Sequence, residues 1–389
     1  MDDVPTKGGA LDVGVLIDRW EPARGGAERA VAALVEHLLA RGDRVRVFAD
    51  RAAADAPGEF VRVPARGWTR RTRARRLASE LPRAAEAAGC RVTLGIRHLR
   101  RVDLYWPHDG AHLDSLAARR EAQSRAPEPR PRGRHALFAA LERELVEGGR
   151  ARRVVCVSEL VREELLRRYP DAGERLVVID NGVDLERFDP RRRVELGPAL
   201  RARLGIARDA RVVAFAGADG RRKGLRELLE ALAVLREHDW VLVAAGVARP
   251  RTWLREAQRL GLPEARLRLV PSLDAAALWA AADVCALPTW RDTCGLVVLE
   301  ALASGVPVLT TRRAGAAERV DDALAGRVVG RPEAAPLADA LLELLGRELD
   351  PEDRARIRSC VAARGRKLWL ERLVRELEAS AGGARTGAG

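Results

Sequence analysis

Apolar positions in this chain fall into short runs of strand length, separated by stretches with helical spacing. The first run covers residues 12–17. After Gly25 and Gly26, apolar residues at Ala30, Val31, Leu34, Val35 and Leu38 mark one face of a helix over 27–39. Gly42 and Asp43 make a turn and 44–49 reads as the next strand, which completes a βαβ unit. Runs at 92–96, 102–106, 154–157 and 176–179 continue the series. Residues 185–198 are charged, carry Pro190 and Pro198 and show little apolar periodicity, so they read as a connection. From Arg211 the plan restarts. Strands are expected at 212–216, 240–245, 267–270, 284–287 and 306–310, and helices at 225–235, 253–260, 274–282 and 297–303.

Strands that alternate with helices imply an α/β fold of two Rossmann-like, doubly wound, mostly parallel sheets. A length of 389 residues suits two domains. The expected division is an N-terminal domain over 1–184, a linker over 185–200 and a C-terminal domain over 201–360. A C-terminal helix over 361–380 is expected to return to the first domain, followed by a disordered tail over 381–389. In such sheets ligands bind beyond the carboxyl ends of the strands. Two sheets facing each other across a central cleft would offer a ligand edge on both sides.

Composition narrows the partners. The formal charge is +13, which favours anionic ligands such as phosphates, acidic headgroups or nucleic acid. Arginines 66, 70, 71, 73, 75 and 76 crowd the stretch around Trp68, and 119–134 forms a second basic stretch broken by prolines. A solvated surface accounts for such runs equally well. Aromatic residues make up 4% of the chain, too few for base stacking, so no nucleic-acid partner is expected. The five cysteines show neither zinc spacing nor an even count, and the N-terminus has no apolar h-region. The expected location is therefore cytoplasmic, with peripheral contact at the cytoplasmic membrane face.

Lysine occurs only at Lys7, Lys223 and Lys367 in this arginine-rich chain. Lys223 lies in Gly217-Ala218-Asp219-Gly220-Arg221-Arg222-Lys223-Gly224, between a strand and a helix. Glycines with two adjacent cations at a helix start suit a diphosphate. Three further segments follow predicted strands. Gly25-Gly26-Ala27-Glu28 lets backbone N–H groups approach an anion, although glycine also serves as an ordinary helix N-cap. Trp106-Pro107-His108-Asp109-Gly110-Ala111-His112 crowds ionisable groups at a strand end. Its two histidines lack the helix and the glutamate of a zinc pair, so a substrate-facing loop is the better reading. Asp292-Thr293-Cys294-Gly295 opens the helix that carries Glu300, with free N–H donors at its start.

Taken in order, these segments resemble glycosyltransferase family 4. Asp292-x7-Glu300, followed by Ala301-Leu302-Ala303-Ser304-Gly305-Val306-Pro307-Val308, is similar to that family's E-x7-E segment. Gly220-Arg221-Arg222-Lys223-Gly224 is similar to its R-K-G phosphate segment. Asn181-Gly182-Val183-Asp184, Ser158-Glu159 and the Gly25–Gly26 loop also have counterparts. The resemblance runs over roughly residues 12 to 380, and its wording is closest to the lipopolysaccharide-core glucosyltransferase branch. It implies a retaining, metal-independent GT-B enzyme with no cofactor, which moves a hexosyl group from a nucleotide sugar, a UDP-sugar, to a glycan or glycolipid acceptor. By position, Arg222 and Lys223 would hold the diphosphate and Glu300 the ribose. Gly217, Thr293, Cys294 and Gly295 would line the donor, and Asp292 would contact the transferred sugar. Gly25 and Gly26 would touch the donor from the first domain. Asp109, with His108 and His112 as further candidates, would sit near the acceptor hydroxyl.

One position departs from the family pattern. Asp292 stands where that family has glutamate, one methylene longer, which bears on which sugar is held. A GT-B nucleotide-sugar epimerase is the alternative reaction on the same fold, and a basic nucleic-acid-binding protein is a remote second. A dinucleotide-dependent dehydrogenase is disfavoured because no G-x-G-x-x-G follows Ile17.

Overall fold

In the computed structural model the described residues are 10–124 and 130–382. They form two compact units. One is drawn from residues 10–114, 130–179 and 369–382, the other from 115–124 and 180–368.

The first unit is built on a seven-stranded sheet. In spatial order the strands are Glu59–Arg62, Arg44–Ala49, Asp12–Leu16, Val92–Gly95, Val102–Tyr105, Ala151–Cys156 and Leu176–Val178. All pairs are parallel. The inner strand Asp12–Leu16 is buried over Val13–Leu16 because helices cover a parallel sheet on both faces. Helix Gly26–Ala40 packs down the stripe that its sequence predicts, with Val31, Leu34, Val35 and Leu38 wholly buried.

The arginine cluster around Trp68 lies largely on a helix, Arg70–Ala87, that the sequence pattern did not resolve. Thr69 caps it in a capping box with Thr72, and Leu77, Ala78, Leu81 and Ala85 face inward. Its first two turns carry Arg70, Arg71, Arg73, Arg75 and Arg76 on exposed positions. The last helix, Arg366–Gly382, buries Trp369, Leu370, Leu373, Val374 and Leu377, and its residues from 369 onward belong to the first unit. Of the expected disordered tail, Ala381 and Gly382 close this helix, and 383–389 lie outside the described residues.

The second unit carries a six-stranded parallel sheet. Its order is Leu267–Val270, Val241–Ala245, Val212–Ala216, Val284–Leu287, Val308–Thr311 and Gly326–Val329. The expected linker 185–200 needs correction. Helix Arg192–Arg203 occupies its second half and continues beyond it, and it belongs to this unit. Pro198 within that helix disguised it as a break. The helix instead packs closely on Ala275–Ala281, where a side chain at Gly197 would lie 2.6 Å from the Ala280 carbonyl oxygen. Arg201 is buried at the same contact, donating to the carbonyls of Ala281 and Ala210 and to Asp283 Oδ2 at 2.8–2.9 Å.

Candidate active site

In the second unit the loops after strands Val212–Ala216 and Val284–Leu287 meet. Lys223 Nζ forms an ion pair with Asp292 Oδ2 although the two residues are 69 positions apart. Both side chains are nearly buried, at 14% and 11% exposure, so the charges attract through a poorly screening medium. Burial alone would raise the Asp292 pKa. The charges of Lys223 and Arg222, the Lys223 hydrogen bond and the Gly295 N–H overcome this and bring it down to about 2.

The backbone fixes both partners. Asp292 N–H donates to the Arg313 carbonyl at 2.9 Å, and the Asp292 carbonyl accepts from Gly315 N–H at 2.8 Å. Arg222 is folded onto the same loop, its guanidinium donating to the Arg291 carbonyl at 2.8 Å and to Asp219 Oδ2 at 3.4 Å. Its own carbonyl accepts from Trp290 N–H and Thr289 Oγ1, both at 2.9 Å. Gly224 permits this junction. Its φ is +80°, and a Cβ there would lie 1.8 Å from the Pro288 carbonyl oxygen. Gly217 lies against the Lys223 stem, where a Cβ would meet Cγ at 3.1 Å.

Gly295, at φ +76°, is the N-cap of helix Leu296–Ala303. Val298, Leu299, Ala301 and Leu302 are buried along this helix, while Leu296 is half-buried. Glu300 is half-buried and accepts from Trp279 Nε1–H through Oε2 at 3.3 Å. Thr293 is half-buried and Cys294 is buried. Burial, then the negative charges of Asp292 and Asp180, push the Cys294 thiol pKa up. Gly217, Arg222, Lys223, Asp292, Thr293, Cys294, Gly295 and Glu300 are thus all carried by the loops and helix starts at the carboxyl ends of two adjacent strands.

The first unit carries a second group of predicted residues. Gly25 is the N-cap of helix Gly26–Ala40, in an extended conformation open to any residue. Arg97 was not singled out from the sequence. It bridges buried Glu28 and exposed Asp109, at 3.6 Å from each. Its position two residues beyond strand Val92–Gly95 was the available signal, since sites here follow strand ends. His108 turns over the Trp106 ring, with centroids 4.2 Å apart. Burial, opposed by Asp109 and aided by Arg97, lowers its pKa to about 3. His112 does not join it. Its N–H donates to Glu142 Oε2 at 2.8 Å, and its Nε2 lies 3.3 Å from His135 Nδ1. The two histidines therefore serve different surroundings. Among the described residues no group of three or more His, Cys, Asp or Glu side chains is placed to hold a metal ion.

Both halves match models of known families. Residues 24–187 match the model for Glycosyltransferase Family 4, and residues 210–347 that for Glycosyl transferases group 1. The chain is 26% identical over 313 residues to the lipopolysaccharide glucosyltransferase WaaG of Escherichia coli strain K12, covering 79% of this chain and 82% of that protein. A D-inositol 3-phosphate glycosyltransferase of Saccharomonospora viridis is 36% identical over 219 residues, a match that spans 49% of that relative's length. A crystal structure of WaaG superposes with a TM-score of 0.81 at 24% identity, over 95% of this chain and 100% of that one. The structure of Anabaena HepE in complex with UDP-glucose superposes at 0.70 with 18% identity, over 94% and 99% of the two chains. With two parallel Rossmann-like units and both halves matched, the chain belongs to glycosyltransferase family 4 and is a glycosyltransferase of the GT-B fold.

Proposed function

We propose that this glycosyltransferase moves a hexosyl group, with retention and without a metal, from a UDP-sugar to a glycan or glycolipid acceptor such as a lipopolysaccharide-type core. The observation that carries this reading is the buried Lys223–Asp292 ion pair with Arg222 folded beside it. Two cations, Arg222 held by the Arg291 carbonyl and Lys223 by the Asp292 carboxylate, are electrostatically suited to a departing diphosphate, the task a divalent ion performs in other enzymes. Asp292, held ionised by the same cations, accepts from hydroxyls of the transferred sugar. Glu300 accepts from the ribose, and the N–H groups after Thr293 face the phosphate.

In the reaction the bond between the sugar's anomeric carbon and the β-phosphate oxygen breaks, its electron pair leaving with the nucleoside diphosphate. The acceptor oxygen bonds to the same face of that carbon. Its proton passes to the departing phosphate oxygen, so no protein base is consumed. Asp109, oriented by Arg97, positions the acceptor hydroxyl. The glucosyl donor and lipopolysaccharide-type acceptor are supported by the match to WaaG, a lipopolysaccharide glucosyltransferase. The exposed arginines of helix Arg70–Ala87 favour an acceptor at an anionic membrane surface.

The test is release of nucleoside diphosphate by purified protein given a panel of nucleotide sugars and core-type acceptors, with and without chelator. Turnover that needs acceptor, survives chelation and collapses in Lys223→Ala and Glu300→Ala supports the reading. Donor conversion without acceptor would indicate an epimerase. No donor bound or consumed would end the proposal.

A further inference from the structure

A second basic site lies in the first unit, away from the loops described above. Arg83, Arg100, Arg101 and Arg150 line one cavity of about 680 Å3 together with Ser79 and Glu144. All four arginines are exposed. Arg100 and Arg101 immediately precede strand Val102–Tyr105, and Arg150 immediately precedes the paired strand Ala151–Cys156. The cavity is therefore at the amino ends of these strands, whereas the His108–Asp109 loop leaves the carboxyl end of the first. Four residues of strand separate the two edges by about 13 Å.

The backbone that carries these arginines is held in place. Arg100 N–H donates to the Ala78 carbonyl at 2.9 Å, Arg150 N–H to the Glu144 carbonyl at 3.1 Å, and Val102 N–H to the Arg150 carbonyl at 3.0 Å. Glu144 grips the Arg100 guanidinium through both oxygens, at 2.7 and 2.9 Å, and Glu86 pairs with Arg101. No carboxylate among the described residues forms an ion pair with Arg83 or Arg150. Four cations thus line one cavity, and two carboxylates offset part of their charge, Glu144 on its wall and Glu86 through Arg101, which leaves a local excess of two positive charges. Like charges held together on fixed backbone favour a multivalent anion, and guanidinium forks match phosphate oxygens in pairs.

We propose that this cavity binds a multivalent phosphate group, and that it is separate from the donor and acceptor sites. The group belongs either to a soluble polyphosphate or to clustered phosphates of lipid headgroups. A phosphate held at this edge lies a strand's length from the His108–Asp109 loop, so it acts as an anchor or an effector.

Inorganic tripolyphosphate is titrated into the full chain with excess UDP present, to keep the diphosphate site of the proposed function occupied. Sedimentation with phosphatidylglycerol vesicles forms the second arm. Each is repeated with R83E/R150E and with R251E/R255E, a control of equal charge change on another helix. Tripolyphosphate binding that weakens at least tenfold in R83E/R150E alone supports a soluble ligand. Vesicle binding that weakens at least tenfold in R83E/R150E alone, without tripolyphosphate binding, supports the headgroup. Equal loss in both double variants, or no binding in either arm, overturns the proposal. R83A/R150A, which removes the forks without adding negative charge, must follow R83E/R150E in direction.

Discussion

Asp292 is held by Lys223, its partner from 69 positions earlier, in an ion pair at the junction of two strand-end loops. Removing one member of such a pair strands the other charge in a poorly solvating site. Lys223→Ala is expected to destabilise by about 3–5 kcal/mol, while the double variant Lys223→Ala/Asp292→Ala recovers part of that loss. Thermal unfolding of the two singles and the double measures the coupling. Additive losses would show that the pair contributes nothing of its own. Lys223→Arg should not rescue turnover, because a planar fork cannot occupy the place of a compact ammonium beside Gly217.

The same pair sets a pH dependence. The folded-state pKa of Asp292 is lowered to about 2, below its unfolded value. Its stabilising contribution, about 2 kcal/mol, is therefore fully present above pH 4 and is lost as pH falls through about 2. Asp292→Asn should flatten the stability profile between pH 4 and pH 2. An unchanged acid limb in that variant would refute the assignment.

Gly224 offers a steric test. With φ at +80° and a Cβ 1.8 Å from the Pro288 carbonyl oxygen, Gly224→Ala must move the backbone that joins Lys223 to the Pro288 loop. A loss of about 4 kcal/mol or more is expected, read as a fall in melting temperature and soluble yield. Gly261→Ala separates strain from clash. Gly261 also has φ of +74°, yet nothing lies within 4 Å of its added Cβ, so about 1–2 kcal/mol is expected there.

Much of this arrangement was legible in the sequence. Strands Arg44–Ala49, Val212–Ala216, Leu267–Val270 and Val284–Leu287 fall where apolar runs bounded by glycine or charge place them. The glycine-flanked Lys223 and the Asp292-x7-Glu300 spacing pointed to one unit's strand ends. What escaped has physical causes. Helix Arg70–Ala87 opens with arginines and buries only a narrow stripe after them, so its period is faint. Edge strand Glu59–Arg62 is mostly exposed and lacks the apolar run of an inner strand. Helix Arg192–Arg203 was hidden by Pro198 and packs through Gly197 and a buried arginine instead of leucines. Arg97 was missed because an isolated arginine after a strand looks like any other until Glu28 and Asp109 converge on it. No local pattern could announce the direct Lys223–Asp292 pairing, which arises only when adjacent parallel strands align their loops.

Glu300 accepts from Trp279 Nε1–H, and Glu300→Gln keeps that contact because an amide oxygen accepts equally well. The fold should be unaffected. Losing a charged acceptor for ribose hydroxyls removes a hydrogen bond in the stronger class, so the donor KM should rise about tenfold with little change in kcat. Steady-state kinetics against donor concentration provide the test, and an unaltered KM would remove Glu300 from the ribose.

The His108 pKa, lowered to about 3 chiefly by burial, keeps that imidazole neutral at every pH between 5 and 8. A depressed histidine pKa stabilises the fold fully above the unfolded value near 6.5, and the contribution fades as pH falls toward 3. The His108 ring resonances should therefore not titrate between pH 5 and 8. His108→Gln should leave the pH profile of kcat/KM unchanged over that range. A midpoint near 6.5 that disappears in the variant would instead make His108 a titrating catalytic group.

Trp68 is fully exposed, one residue ahead of the Thr69 cap of the arginine-rich helix. An indole wholly in water beside five exposed arginines matches the demands of a membrane interface, where the ring sits among headgroups and each cation near an anionic surface adds about 1 kcal/mol. Trp68→Ala and the charge-reversed R70E/R73E should each weaken binding to phosphatidylglycerol vesicles, the latter by at least tenfold at low salt. Raising the salt should erase the arginine contribution first, because screening acts on charges and leaves the indole's apolar burial in place. Turnover of a water-soluble acceptor should be unaffected in both variants, since neither position touches the proposed donor or acceptor site. Wild-type vesicle binding by R70E/R73E would show that the helix faces water alone.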